Sequence, residues 1–186
     1  MDFNKKKVIK EAQAGDMDSF SMLVDEYKDK IYGIALTLSG NKMEAEEVAQ
    51  QIFIKLWKKI EKFNFRSAFS TWLYRLAHNT FYDYVRKKKR RSDRKIPSEK
   101  IYNLNIEDTV YKNVAEKEIK SAVYEALEDI PEEFRMVVIY YDLHGKSYKD
   151  ISDIIDIPLG TVKSRLYRGR EMLKQKLGNI FGALNV

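Results

Sequence analysis

The chain has 186 residues, 34 of them Lys or Arg against 28 Asp or Glu, with three prolines, eight glycines and no cysteine. That length allows one domain or two small ones, and the missing thiols exclude a disulfide-stapled secreted fold and any thiolate zinc site. No stretch approaches the ~18 uninterrupted apolar residues of a spanning helix, and the start MDFNKKKVIKEAQAGD has no long apolar core, so a cytoplasmic protein without membrane insertion is expected.

Apolar residues recur at three- and four-residue steps almost throughout, which predicts helices. Phe20, Leu23, Val24, Tyr27, Ile31, Ile34, Ala35 and Leu38 form a first stripe that ends at Gly40, a residue suited to a helix C-terminus. Ala45, Val48, Ala49, Ile52, Phe53, Leu56 and Ile60 form a second. Phe69, Trp72, Leu73, Leu76, Ala77, Thr80 and Tyr84 form a third, which fades into the run RKKKRRSDRK at 86–95. Segment 92–112 holds Pro97 and several Asn and Ser without a stripe, and reads as a linker. Ile119, Val123, Leu127 and Ile130 resume the pattern, and Pro131 is placed to start the next helix. Phe134, Val137, Val138 and Tyr141 continue it to Gly145. Ser147 can cap a helix with Tyr148, Ile151 and Ile155 inward; Ile157-Pro158-Leu159-Gly160 breaks it, and Thr161 restarts it. Strand patterns and internal repeats are absent. The expected fold is all-α: two small helical domains, 1–91 and 113–186, joined by a flexible linker at 92–112, the second containing a helix-turn-helix.

Charge is concentrated. Segment 86–95 carries eight basic residues and one acidic, and 159–176 carries six and one, so the rest of the chain is acidic. Two basic islands point to two polyanion contacts, the alternative being solvated helical faces. At 100° per residue, Val162, Leu166, Gly169 and Leu173 cluster on an inner stripe. Ser164, Tyr167, Arg168 and Glu171 lie nearly opposite, with Lys163, Arg165 and Arg170 on the flanks. A second helix presenting such groups fits major-groove reading, in which arginine holds guanine bidentately and flanking cations meet phosphates.

Seven aromatics between Phe63 and Tyr82 precede the first island, and rings beside cations suit unpaired bases. Phe69, Trp72 and Tyr84 fall on the buried stripe. Tyr74, Arg75, His78, Tyr82 and Arg86 fall opposite and are the candidate ligand-facing groups, with Asn79 at the boundary. On the preceding helix, Glu46, Glu47, Gln50, Gln51, Ile54, Trp57 and Lys58 lie off the stripe, either as a protein-docking surface or as an ordinary wet face. Two histidines, no thiol and no phosphate-cradling glycine run make no convergent catalytic site, so no catalytic residue, metal or cofactor is expected.

The segments AEEVAQQIFIKLW, SAFSTWLYRLAHN with the basic run beyond it, and SYKDISDIIDIPLGTVKSRLYRGREMLKQKL resemble an extracytoplasmic-function (ECF) type bacterial RNA polymerase sigma factor. The resemblance covers nearly the whole chain. It implies two helical domains, regions 2 and 4, that act without catalysis. Region 2 would dock on the polymerase clamp helices through Glu47, Gln50 and Gln51, with Ile54 and Trp57 on the same surface. It would melt and read a −10-type element with the loop carrying Phe65, Arg66, Ser67 and Ser70 and the helix carrying Tyr74, Arg75, His78, Asn79, Tyr82 and Arg86. Region 4 would read a −35-type element through Thr161, Lys163, Ser164, Arg165, Tyr167 and Arg168. The implied partners are core RNA polymerase (clamp helices and flap), promoter DNA and an anti-sigma factor. A polymerase-independent helix-turn-helix regulator is the rival reading. Four residues depart from the family pattern: Phe65 and Arg66 stand where glycine and an acid are frequent, Gln51 replaces a frequent acid, and Ser152 replaces the usual alanine.

Overall fold

The computed structural model describes residues 3–92 and 122–184. The chain divides into two compact units, Met1–Tyr102 and Asn103–Val186. The linker expected over 92–112 and the start of the second domain at 113 lie, Ser92 apart, outside the described residues. Every element among the described residues is helical.

The first unit contains α1 (Phe3–Gln13), α2 (Met17–Ser39), α3 (Lys42–Lys59), a 3₁₀ turn (Ile60–Lys62) and α4 (Phe69–Ser92). Short polar joints set these helices against one another. Gly15 turns the chain at φ 94°, and Asp16 then caps α2 by accepting from the Ser19 backbone N–H at 2.7 Å. At the far end Gly40, at φ 63°, donates its N–H to the Leu36 carbonyl and closes α2. Asn41 caps α3 one residue later, accepting from the Glu44 N–H at 3.1 Å. Two residues therefore reverse the chain, and α2 and α3 pack side by side along their lengths.

Leu23, Tyr27, Ile31, Ile34 and Leu38 of α2 meet Ala45, Val48, Ile52 and Leu56 of α3, with Phe69, Leu73 and Ala77 of α4 completing a dry centre. Ile9 and Ala12 of α1 are also buried. The Phe69 ring stands edge-on to Tyr27 and Phe63 at centroid distances of 5.6 and 5.3 Å. Offset and edge-on aromatic pairs of this kind contribute about 0.5–1.5 kcal/mol beyond area burial.

The second unit contains α5 (122–128 of the described residues), α6 (Glu132–Val138), a π-helical turn (Ile139–Leu143), α7 (Tyr148–Ile155) and α8 (Leu159–Leu184). Here the inward residues differ from the simple 3.6-residue reading. In the π turn the His144 N–H reaches the Ile139 carbonyl, five residues back, at 3.1 Å. The extra residue slips the register, so Tyr140 becomes fully buried and the expected Tyr141 only half-buried. In α7, Ile154 is buried beside Ile151, whereas Ile155 is half-buried.

Ser147 and Asp150 form a reciprocal capping box at the start of α7. Asp156 ends the helix in the left-handed region at φ 59°, and α8 begins at Leu159, two residues before the expected restart at Thr161. The Ser152 hydroxyl donates to the Ile157 carbonyl at 2.6 Å, so it ties down the turn instead of disturbing the helix pair.

Gly169 lies on the inner face of α8 as expected. A Cβ there would sit 2.7 Å from Val138 Cγ2 and 3.2 Å from the Phe134 carbonyl oxygen. Alanine in place of a helical glycine contributes about 1 kcal/mol of helix propensity, but overpacking of this severity costs about 1–3 kcal/mol. Gly169→Ala should therefore lower the thermal midpoint of the second unit, with partial recovery when Val138→Ala is added; a higher midpoint for the single variant would refute the close contact.

In the first unit, the Ser19 backbone and hydroxyl hold the Asp16 carboxyl below its ordinary pKa. The cap therefore stabilises the fold fully above the unfolded-state pKa, and its contribution is lost as pH falls through the lower folded value. Asparagine caps equally well and does not titrate. Between pH 6 and 3, Asp16→Asn should show a smaller drop in melting temperature than the parent; parallel curves would count against this role.

Candidate nucleic-acid and protein interfaces

Helix α4 shares its surface between core and solvent. Phe69, Thr71, Leu73, Tyr74, Leu76, Ala77, Thr80 and Phe81 are buried, an arc wider than the single stripe expected. Tyr74 is therefore not on a ligand face. It is 3% exposed, has Tyr27, Lys5 and Glu26 as neighbours, and burial pushes its phenol up to about 12. The expectation failed because residues of both α1 and α2 cover that side, which the periodicity of α4 alone does not record. His78 is half-buried with its ring 4.6 Å from that of Tyr82, and burial pushes its imidazole down to about 4. At neutral pH it is an uncharged ring and offers no cation to a phosphate.

What remains is a narrower strip. Arg75, Asn79, Tyr82 and Arg86 recur at i, i+4, i+7 and i+11, a spacing that keeps them on one face. Arg75, Asn79 and Arg86 are exposed and Tyr82 is half-buried. Tyr84, expected in the core, is half-buried, and its hydroxyl donates to Glu47 Oε2 at 3.2 Å. Acidic side chains hold part of the basic island: Asp83 pairs with Arg86 at 2.8 Å and Lys55 at 3.0 Å, and Glu44 pairs with Lys88. Lys55 first, then Arg86, draws the Asp83 carboxyl below its ordinary pKa.

The loop between the 3₁₀ turn and α4 has an unusual backbone. Phe65 has φ 61°, a left-handed conformation that costs a bulky side chain about 1–3 kcal/mol. Its ring packs on Phe63 at 4.8 Å, with the Lys6 ammonium 5.7 Å from the ring centre. Asn64 Oδ1 accepts from the Arg66 N–H at 3.2 Å and closes a local turn. Arg66 and Ser67 are exposed, and Ser70, the second residue of α4, is half-buried. Glycine adopts this φ without strain, so the departure at Phe65 falls where the backbone most favours glycine.

On α3, Glu47, Gln50, Gln51, Ile54 and Trp57 share one face by spacing. Ile54 is 54% exposed and Trp57 38%, the indole and the Phe20 ring meeting in a T-shaped pair at a centroid distance of 4.8 Å. Glu47 and Gln50 are exposed and Gln51 half-buried, with the Gln51 amide donating to Glu47 Oε1 at 3.1 Å. Apolar groups framed by amides and an acid thus form a continuous surface. Sequence reasoning missed the contribution of α2: Phe20, placed in the core by its stripe, is half-buried and supports the indole.

In the second unit, Val162 and Leu166 are buried under the outward row of α8. Lys163, Ser164 and Arg168 are exposed, and Tyr167 is 70% exposed. Thr161 is half-buried, and its carbonyl accepts from the Ser164 hydroxyl at 3.1 Å. Arg165 turns aside from this row: its guanidinium pairs with Glu133 of α6 at 2.9 Å. Glu133 carried no signal in the sequence, because the pairing joins residues 32 positions apart. Arg170 is forked onto Asp142, with Nε donating at 3.0 Å, and lies over the Tyr141 ring at 5.0 Å. Tyr141 stacks in turn on Tyr148 at 4.9 Å. Among the described residues no trio of His, Asp or Glu side chains converges as a metal site would require, and no helix is long and apolar enough to cross a membrane.

Known proteins match both units. Residues 23–91 match Sigma-70 region 2, and residues 120–173 match Sigma-70 region 4. The ECF RNA polymerase sigma factor SigW of Bacillus subtilis is 36% identical over 97% of this chain and 100% of its own length. The ECF RNA polymerase sigma-E factor of Haemophilus influenzae is 34% identical over 91% of this chain and 93% of its own. Among solved structures, the sigma factor RpoE of Bartonella quintana, crystallised with the anti-sigma factor NepR, shares the fold at a TM-score of 0.69 and 24% identity, covering 87% of this chain and 98% of that one. With both regions present in order and relatives matching end to end, the chain belongs to the ECF RNA polymerase sigma factors.

Proposed function

We propose that three of the faces described above divide the work of promoter recognition. The α3 face with Ile54 and Trp57 docks on core RNA polymerase. The strip of α4 carrying Arg75, Asn79, Tyr82 and Arg86, with the loop at Phe65–Ser67, holds the unpaired strand of a −10-type element. The outward row of α8 reads a −35-type element in the major groove. The observation that carries this reading is the outward row itself: Lys163, Ser164, Tyr167 and Arg168 stand on a helix whose opposite side is locked by Val162, Leu166 and Gly169. A rigidly seated helix can aim an arginine at a base edge with the geometry that bidentate contacts need.

Family membership favours this reading over a regulator that binds operators without polymerase. The protein acts by binding, not by catalysis, and works in the cytoplasm where polymerase is found. Because RpoE of Bartonella quintana is crystallised with an anti-sigma factor, an anti-sigma partner is part of the proposal. The linker over 92–112 connects the two recognition steps. Duplex opening costs a few kcal/mol for each base extruded, and stacking on side chains provides about 1–3 kcal/mol per base in return.

Run-off transcription with core polymerase over a randomised promoter library tests the whole scheme: it should yield start sites sharing two sequence elements at fixed separation, and their absence would end it. Within that assay Arg168→Ala should weaken recognition at particular −35-type bases by about 1–3 kcal/mol. Arg165→Ala, which removes the Glu133 pair, should weaken all sequences nearly alike. An exchange of those two patterns would reverse the assigned roles. Trp57→Ala should reduce affinity for core polymerase by about 2 kcal/mol or more, as for an interface anchor. Circular dichroism melting checks that the fold survives loss of the Phe20 contact; a folded variant with unchanged polymerase affinity would exclude the docking face.

A further inference from the structure

Helix α1 precedes the segment that matches region 2, which starts at residue 23. Its last residue nevertheless reaches the loop ahead of α4. The Gln13 side-chain amide donates one hydrogen bond to the Ile60 carbonyl at 2.9 Å and a second to the Phe63 carbonyl at 2.7 Å. A primary amide has two N–H donors, and both are used. The two carbonyls belong to buried residues at the two ends of the turn that launches the loop, where the Phe63 N–H also closes on the Ile60 carbonyl at 3.0 Å. Two residues further on stands the strained Phe65, held by the Phe63 ring and the Asn64–Arg66 turn.

We propose that Gln13 is a positioning residue for base capture: by clamping the Ile60 and Phe63 carbonyls it holds the loop in the shape that presents Phe65 and Arg66 to one unpaired base. The inference rests on the reading of this loop as part of the −10-type site. Gln13 itself is half-buried on the carbonyl side of the turn, so its role is that of a support. Its effect passes through the backbone, because a positive φ at Phe65 persists only while both flanks are fixed. Lys6, one cation over the Phe65 ring, shows that α1 reaches the loop at a second point.

The test uses holoenzyme assembled from the full chain and core polymerase, with forked promoter DNA bearing each of the four bases at each unpaired position. Gln13→Glu keeps the shape but places a carboxylate against two carbonyl oxygens; Gln13→Met keeps the length without donors. Both should reduce base preference at a single position by about three- to tenfold. Preference at other positions, duplex binding at the −35-type element and association with core polymerase should stay as in the parent. A uniform loss across all positions, accompanied by weaker polymerase binding, would mean that Gln13 only stabilises the unit and would overturn the proposal. Phe65→Ala and Arg66→Ala separate the two levels. If these change the base profile while both Gln13 variants leave it intact, the clamp is wrong and base capture stands. If none of the four changes it, base capture by this loop is wrong and the clamp falls with it.

Discussion

Burial of α4 constrains every other feature of the first unit. A helix that lies across two long partners must give most of its circumference to the core, and only the remaining strip can meet a ligand. Phe69, Leu73 and Ala77 are buried, and Tyr74 is buried with Tyr27 and Lys5 nearby, so the buried residues between Phe69 and Phe81 spread over more than half of the helix circumference. The surviving strip is narrow, and the residues left on it are those best suited to a strand of nucleic acid: two arginines, an asparagine and a tyrosine. The same division governs α8, where the missing side chain of Gly169 lets Val138 approach and sets the outward row at a fixed angle. In both units the dry face comes first, and only what packing leaves over is open to a ligand.

Electrostatics follows that geometry. Acidic side chains form more than a neutral background to the basic islands, because they hold individual cations in place. Asp83 holds Lys55 and Arg86, Glu44 holds Lys88, Glu133 holds Arg165, and Asp142 holds Arg170. Pairs at the surface, as these exposed and half-buried ones are, contribute only about 0–1 kcal/mol each. Binding a phosphate with release of condensed counterions easily competes with them. Such pairs therefore preset the direction of a long side chain at little energetic penalty to binding. Tyr141 and Tyr148 extend the idea, with Arg170 over one ring of the stack and Lys163 about as far from the other as a weak cation–π contact allows.

Most of the fold could be read from periodicity, and its failures have identifiable causes. Gly40 ends α2 as read, because a glycine at positive φ does local work that depends on its own chemistry, whereas the Asn41 cap of α3 emerges only in the structure. Tyr140 was missed because a π turn inserts one residue into a 3.6-residue pattern. Tyr74 lies on the outward side of α4 by periodicity, yet α1, through Lys5, helps to cover it. The outward row of α8 could be read because it lies opposite a short, strong apolar stripe on the same helix. The roles of Glu133 and Gln13 could not be read at all. Neither residue type has a distinctive spacing, and each acts on a partner more than thirty positions away.

The order of residues along the chain was thus enough to determine two helical units, the helix ends marked by Gly40 and Ser147, the main apolar stripes of α2, α3, α4 and α8, and the family to which the motifs belong. Tertiary structure alone decided which outward faces stay wet, which cations are already paired, and which distant side chain clamps the strained loop. The physical reason is range. Helix propensity, capping and periodicity act over a few neighbouring residues, whereas coverage, ion pairing and side-chain-to-backbone clamps arise only when separate helices are brought together.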